Sequence, residues 1–343
     1  MSGSRLACPG RLDLAATVDS IAAEQLPGGQ IPWFAGGHTD PWNHVEAAMA
    51  LTAGARWTEA EAAYGWLAAS QRPDGAWHQY YVGDRVEEAT LDANVTAYVA
   101  TGTWHHFLAT ADRGFLETMF PVVEAAVGFV LALQRPDGTV TWARHADGTP
   151  WPFALLTASS STYLSLRCAV AAARELGRPE EGWAEAAARL GAALRRRPGA
   201  FAPKDRWAMD WYYPVLVGAV AGDAAARRLD SGRSGFVLPG AGVRCVADKA
   251  WVTAAETCEC AMAHVRAGRR DDAEGLWLAA QHLRADDGSY HTGMVHPQRI
   301  HFPWGERTTY SAAAVVLAAD ALWGAGPTAR LFLDDPASRS PGN

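Results

Sequence analysis

His38-Thr39-Asp40-Pro41-Trp42-Asn43-His44 heads a helix of small, largely apolar residues, and its reading decides the fold. Asp followed by Pro is a helix start: the carboxylate caps free backbone N–H groups, and Pro fits a first turn where its missing N–H is not needed. A helix apolar on nearly all sides belongs inside a protein, not on its surface. Five further segments open in the same polar and aromatic way. They are Leu91-Asp-Ala-Asn-Val-Thr-Ala-Tyr98, Ser159-Ser-Ser-Thr-Tyr163, Met209-Asp-Trp-Tyr-Tyr213, Trp251-Val-Thr-Ala-Ala-Glu-Thr257 and Glu306-Arg-Thr-Thr-Tyr310. Their starts near 40, 91, 160, 210, 253 and 307 define a degenerate repeat of helical hairpins.

Ordinary amphipathic helices alternate with these, roughly at 15–25, 57–70, 116–133, 182–196 and 270–283, with Glu, Arg and Ala on a solvent face. Strand-like alternation is confined to short pieces such as Trp77 to Val82 and Thr139 to Arg144, so the fold class is all-α, with no sheet of five strands expected. Outer amphipathic and inner apolar helices, closed after six copies, make an (α/α)6 barrel, a six-hairpin toroid, as a single domain over residues 12–330. Residues 1–11 and 334–343 read as flexible termini. A Gln-Arg-Pro-Asp-Gly turn closes outer helices at Gln71–Gly75 and Gln134–Gly138, with a looser copy at Asp286-Asp-Gly-Ser-Tyr290.

Inner-helix N-termini then converge on one mouth. Buried polar groups are costly without partners, so six polar clusters there read as a ligand funnel. The alternative, six independent helix caps, does not account for the accompanying Trp, Tyr and His.

The net charge of −7 and the lack of a basic face exclude nucleic acid as a partner. No stretch reaches the roughly 18 apolar residues of a membrane span, since even Val122 to Leu133 is broken by Glu124, so no membrane partner is expected. Five cysteines form no C-x-x-C pair and leave one over, which points to a reducing compartment and a cytoplasmic location. The oligomeric state is not readable. His38, His44, His105 and His106 lack the carboxylate spacing of an H-E-x-x-H site, so no metal and no cofactor is expected.

The Gln-x-x-Asp-Gly-x-Trp turn resembles the repeat of terpene cyclases and prenyltransferase-like proteins, which are α/α toroids. The cyclases' D-x-D-D acid segment and the protein prenyltransferases' zinc set have no counterpart here. A second resemblance, to the (α/α)6 glycosidases such as glucoamylases, reaches the mouth. Trp33-Phe-Ala-Gly-Gly-His-Thr-Asp40 is similar to that family's aromatic-x-Arg-Asp segment, with His38 where Arg would stand. Glu306-Arg-Thr-Thr-Tyr-Ser-Ala-Ala-Ala resembles the family's base-bearing C-terminal run, while its Trp-Glu-Glu acid motif has no counterpart before Ser159. Gly-Gly-His-Thr-Asp-Pro-Trp, Met-Asp-Trp-Tyr-Tyr-Pro and Ala-Glu-Thr-Cys-Glu also resemble an actinobacterial group that includes hydrolases of methylmannose polysaccharide assembly.

Glycoside hydrolysis needs two carboxyl groups, one protonated to release the leaving oxygen and one ionised. Glu256 lies in a nearly apolar neighbourhood that should keep it protonated, as a general acid. Asp40, among His38, Trp42 and His44, should stay ionised, as a general base. Glu306 is the third catalytic candidate, with the C-terminal resemblance in its favour. Substrate-binding candidates are His38, Trp42, His44, Asp92, Trp104, Asp210, Trp211, Tyr212, Trp251 and Arg307, with Trp304 also near the mouth and Tyr213 and Tyr310 adding hydroxyls there. The expected function is an inverting glycoside hydrolase with a carbohydrate substrate, inversion being implied by the glucoamylase resemblance. A cyclase or prenyl-handling enzyme and a non-catalytic carbohydrate-binding protein are the alternatives.

Overall fold

The computed structural model describes residues 12–336 other than 181, 325 and 335, so the termini expected to be flexible lie almost wholly outside the described residues. Six apolar helices pack side by side: α2 (Pro41–Ala53), α4 (Ala93–Thr110), α6 (Leu156–Leu176), α8 (Ala208–Leu216), α10 (Ala254–Arg266) and α12 (Thr309–Trp323). Each contacts the next in chain order, and α12 returns to α2, so the six close a ring. Their residues are buried almost all round, as for Val45 to Thr52 and Ala312 to Leu322. Outside lie α1 (Leu14–Ala23), α3 (Trp57–Ser70), α5 (Arg113–Leu131), α7 (Trp183–Arg196), α9 (Gly222–Phe236) and α11 (Arg270–Ala280). The short α13 (Pro327–Leu333) touches α4, α10 and α12 and plugs one end of the ring. Thr328 holds it there through His105 Nε2 at 3.0 Å and the Asp320 carboxylate at 2.9 Å.

The turns after the outer helices weld each hairpin to the next. Gln71 Nε2 donates to Gly75 O and to Val122 O of α5, both at 2.9 Å, and Gln134 Nε2 donates to Gly138 O and to Ala186 O of α7. A further copy, Gln25-Leu-Pro-Gly-Gly29, does the same to Glu59 O of α3; lacking the Asp, it escapes the sequence pattern. In the last copy Arg284 stands for Gln and donates to Asp13 O, so the turn after α11 docks on the start of α1. In each case the glycine seats against the same helix three residues further on, at Ala62, Ala125, Arg189 and Ala16.

The expectation of no five-stranded sheet is overturned. β5 (Val237–Leu238), β6 (Gly242–Arg244), β7 (Trp251–Thr253), β8 (His291–Val295) and β9 (Ile300–Arg307) form an antiparallel sheet in that order. It builds no second core: its strands are two to eight residues long and lie in the loops that feed α10 and α12. Two smaller ribbons, β1 (Tyr80–Val82) with β2 (Arg85–Glu88) and β3 (Leu91–Asp92) with β4 (Ala143–Arg144), overlap the two short segments where alternation occurs in the sequence. α5 corrects a second expectation, since its 19 residues are long and apolar enough for a membrane span. Its apolar face is used against α4, α6 and α7.

Candidate active site

Hydrogen bonds chain the six inner-helix openings together at the end opposite α13. Thr309 N donates to Trp33 O at 2.8 Å, which ties α12 to the segment before α2, and Thr39 pairs with Tyr81 ahead of α4. Ala93 N donates to Trp142 O and Trp142 N to Phe153 O, which reaches α6. Thr157 Oγ1 donates to Asp210 Oδ1 at 2.5 Å, and Ala208 N donates to Cys245 O, whose own N–H reaches Trp251 O before α10. Asp40, Asp92, Asp210 and Glu256 therefore stand on one side of the ring.

Asp40 caps α2, its Oδ1 accepting the Asn43 N–H at 2.8 Å. Its Oδ2 accepts the Trp33 indole N–H at 2.6 Å and the Asn43 side-chain amide at 2.7 Å. Asp92 repeats the arrangement at α4, capping Asn94 and Val95 and accepting the Trp142 indole. The expectation that imidazoles hold Asp40 ionised is corrected here: burial raises its pKa, outweighing the hydrogen bonds and the small contribution of His38. Asp92 is likewise pushed up, to about 6, mainly by burial. Asp210 is raised for the same reason.

Glu256 lies in the first turn of α10, and burial raises its carboxyl too, with Thr253 opposing. Glu306 lies on β9, where Thr292 Oγ1 donates to its Oε1 at 2.9 Å. Tyr310 brings the three together electrostatically. Its hydroxyl pKa is raised by burial and then by the charges of Glu256, Glu306 and Asp40. Its ring packs edge-on against Trp33 at 4.9 Å. Trp42 sits one turn inward, against Tyr98 and Tyr213, with its buried indole N–H lacking a protein partner.

Below this level lie two further buried carboxyl groups. Glu46 on α2 accepts from Tyr98 Oη, and Glu259 on α10 accepts from Tyr212 Oη. Burial pushes Glu46 up to about 7, and Glu259 is raised well above the usual carboxyl range by burial and by the charge of Glu46. The signal was available: a Glu on a helix that is buried all round has no solvent face to turn to. The folded state holds the Glu46 proton to about pH 7, whereas its ordinary value is 4.5. Stability should therefore fall as pH rises from about 4.5 to about 7. Denaturant titrations of Glu46→Gln at pH 5 and pH 7 should show a shallower fall than the unmodified protein, and an unchanged fall would contradict this protonation.

Several residues placed at the mouth by the sequence point elsewhere. His44 turns outward, accepting the Ile31 N–H at 3.1 Å on Nδ1 and donating from Nε2 to Ala63 O at 2.9 Å, and burial lowers it to about 4. Trp104 is buried midway along α4 against Phe107. Trp211 stacks on Phe236 and donates to Arg228 O, facing the outer helix α9. Tyr212 lies deep, with Glu259, and Arg307 turns to the surface to pair with Asp287 at 2.6 Å. His38 stays at the rim, between the rings of Trp33 and Tyr80 and 3.5 Å from the Glu87 carboxylate. Trp251 is exposed on β7 and packs against Phe302. Among the described residues no group of three or more His, Cys, Asp and Glu is placed to hold a metal ion.

No family model matches the chain. Among solved structures, a glycosidase in complex with glucose superposes with a TM-score of 0.72 at 15% identity, covering 90% of this chain and 96% of that one. A GH63 mannosylglycerate hydrolase from Thermus thermophilus, in complex with Tris and D-glycerate, gives 0.70 at 14% identity, covering 89% and 99%. At such identities the likeness shows the fold alone. In sequence, an MMP endo-(1,4)-3-O-methyl-alpha-D-mannosidase of Mycolicibacterium hassiacum is 50% identical over 306 residues, 89% of this chain and 85% of that protein. Identity of that depth over most of both chains shows that this glycoside hydrolase belongs to the family of the MMP endo-(1,4)-3-O-methyl-alpha-D-mannosidases.

Proposed function

We propose that the chain cleaves internal α-(1,4) linkages of a 3-O-methyl-D-mannose polysaccharide, with inversion, at the mouth formed by the six inner-helix openings. What supports the site is that Trp33 packs against Tyr310 while donating to Asp40, and that the charges of Glu256, Glu306 and Asp40 all act on the Tyr310 hydroxyl. Substrate and endo action are drawn from the half-identical relative. In this reading the ring is an (α/α)6 toroid and residues 12–330 are one domain.

Glu256, whose acidic form is favoured by burial, gives its proton to the leaving glycosidic oxygen. Asp40 takes a proton from the water that attacks the anomeric carbon from the opposite face. The Trp33 and Asn43 donors hold the Asp40 carboxylate in place, and binding of substrate must draw its pKa down for it to act as base. An inverting pair requires about 6.5–9.5 Å between its carboxyl groups, against about 5–5.5 Å for a retaining pair. Trp42 and Trp251 offer flat apolar faces suited to sugar rings bearing methyl ethers. Cys245, Cys258 and Cys260 are free thiols, which suits a cytoplasmic setting.

Incubating the protein with 3-O-methylmannose polysaccharide should release oligosaccharides of intermediate length by mass spectrometry. Proton NMR of the first products should show β-anomeric reducing ends. Release of monosaccharide alone would overturn endo action, α-anomers would overturn inversion, and no cleavage would overturn the substrate.

A further inference from the structure

A trough of about 730 Å³ opens beside the mouth, between α1, the Phe34–Ala35 segment, β9 and the start of α12. Its volume lies within the roughly 300–1,000 Å³ typical of ligand sites. Its inner wall carries Glu306 and Thr308, two residues before Tyr310, so it continues directly from the candidate active site. Its outer wall is α1, with Asp19, Ser20 and Glu24 turned into it. Over it stands Trp304, fully exposed and in contact with no other ring among the described residues.

Two independent features mark Trp304. A fully solvated indole forgoes the burial that makes Trp useful to a fold, since aromatic side chains bury about 150–250 Å² each. Its backbone also adopts a left-handed conformation, φ +51°, followed by Gly305 at φ +76°. A bulky residue in that region is an outlier, and such outliers collect where a side chain must be presented to a ligand. The Trp304 corner thus holds an aromatic plate away from the protein and over a trough that mixes apolar wall with carboxylates and hydroxyls.

That mixture is the chemistry of a sugar chain with apolar substituents. Flat faces and methyl groups would pack on Trp304, Phe34 and Pro303, while ring hydroxyls would bond to Glu24, Ser20 and the Asp19 carboxylate, which Arg56 already holds in place. An endo-acting enzyme also needs a path on which the polymer continues past the point of cleavage. We propose that this trough is a distal subsite for the polysaccharide chain, with Trp304 as its stacking platform; the proposal rests on the polysaccharide reading above.

The test uses a length series of α-(1,4)-linked 3-O-methylmannose oligosaccharides and two full-length variants, Trp304→Ser and Ala23→Trp. The second fills the trough from the exposed side of α1. Each variant should lower the ratio of kcat/KM for the longest chains to that for the shortest cleavable chain by about tenfold, through KM. Calorimetry should show the same loss in binding of long chains. An unchanged ratio, or a loss equal at every length, overturns the distal subsite. So does a Trp304→Ser variant whose sedimentation reveals that the residue instead seals a dimer. If the unmodified protein binds long chains through Trp304 yet cleaves none of the series, the subsite stands and the hydrolytic reading of this substrate fails.

Discussion

Glu256→Gln is expected to lower kcat by on the order of 10² or more, the scale on which a lost general acid is felt. The amide matches the shape of the carboxyl group but has no proton to deliver to the leaving oxygen. Burial raises the Glu256 carboxyl and so favours its acidic form, and the alkaline limb of the pH–rate profile should vanish in the variant. Asp40→Asn should cost a similar factor, but it will not be neutral for folding. An Asn that still caps α2 through its oxygen sets its amide nitrogen against both the Trp33 indole and the Asn43 amide, which are donors themselves. Folded-state circular dichroism therefore has to accompany the kinetics. The outcome that reassigns the base is Glu306→Gln abolishing turnover while Asp40→Asn chiefly raises KM, which makes Asp40 a sugar ligand. Full activity in Glu256→Gln removes it from the mechanism.

Gly75→Ala should be among the most damaging small substitutions in the scaffold. Gly75 has φ +85°, and a Cβ there would sit 2.1 Å from Ala125 O on the neighbouring helix α5. The obstacle is backbone, so nothing flexible can move aside. Left-handed strain of roughly 1–2 kcal/mol and crowding of roughly 1–3 kcal/mol together predict a loss of about 2–5 kcal/mol and a melting temperature lower by several degrees. Gly65→Ala, on the exposed side of α3 with nothing within 4 Å, is the control and should stabilise by roughly 0.5–1 kcal/mol. Equal melting temperatures for the two variants would refute the welding role of the turn.

The inner helices were legible because burial on all sides leaves an unmistakable run of small apolar residues, and five of the six outer helices because their periodicity is clean. α9 was not: Gly222–Phe236 mixes Gly, Ser and Arg with few large apolar residues, and its place comes from packing on α8 and from the Arg269–Asp230 and Arg233–Asp272 ion pairs to the α11 segment. The sheet was hidden because three of its strands have only two or three residues, and the eight-residue β9 does not alternate between buried and exposed positions. At the candidate site, proximity in sequence misled where direction around the helix mattered. His44 lies four residues past the Asp40 cap, yet it faces the outer layer, whereas Glu46 faces Tyr98 across the ring. The raised pKa of Asp40 was missed by counting neighbouring imidazoles and omitting the cost of burial itself.

The docking of the last turn on the first helix has a consequence for biosynthesis. Arg284 meets Asp13 across 271 residues of chain, and α12 must find both α1 and α2. A chain emerging from the ribosome makes its early hairpins locally and quickly, but α1 and α2 keep an uncovered apolar flank until the final hairpins appear. Closure is then a single late event whose entropic penalty grows only with the logarithm of the loop. The incomplete ring, not the unfolded chain, is the species that chaperones must shelter, and truncation before Arg284 should yield aggregation in place of a smaller folded enzyme.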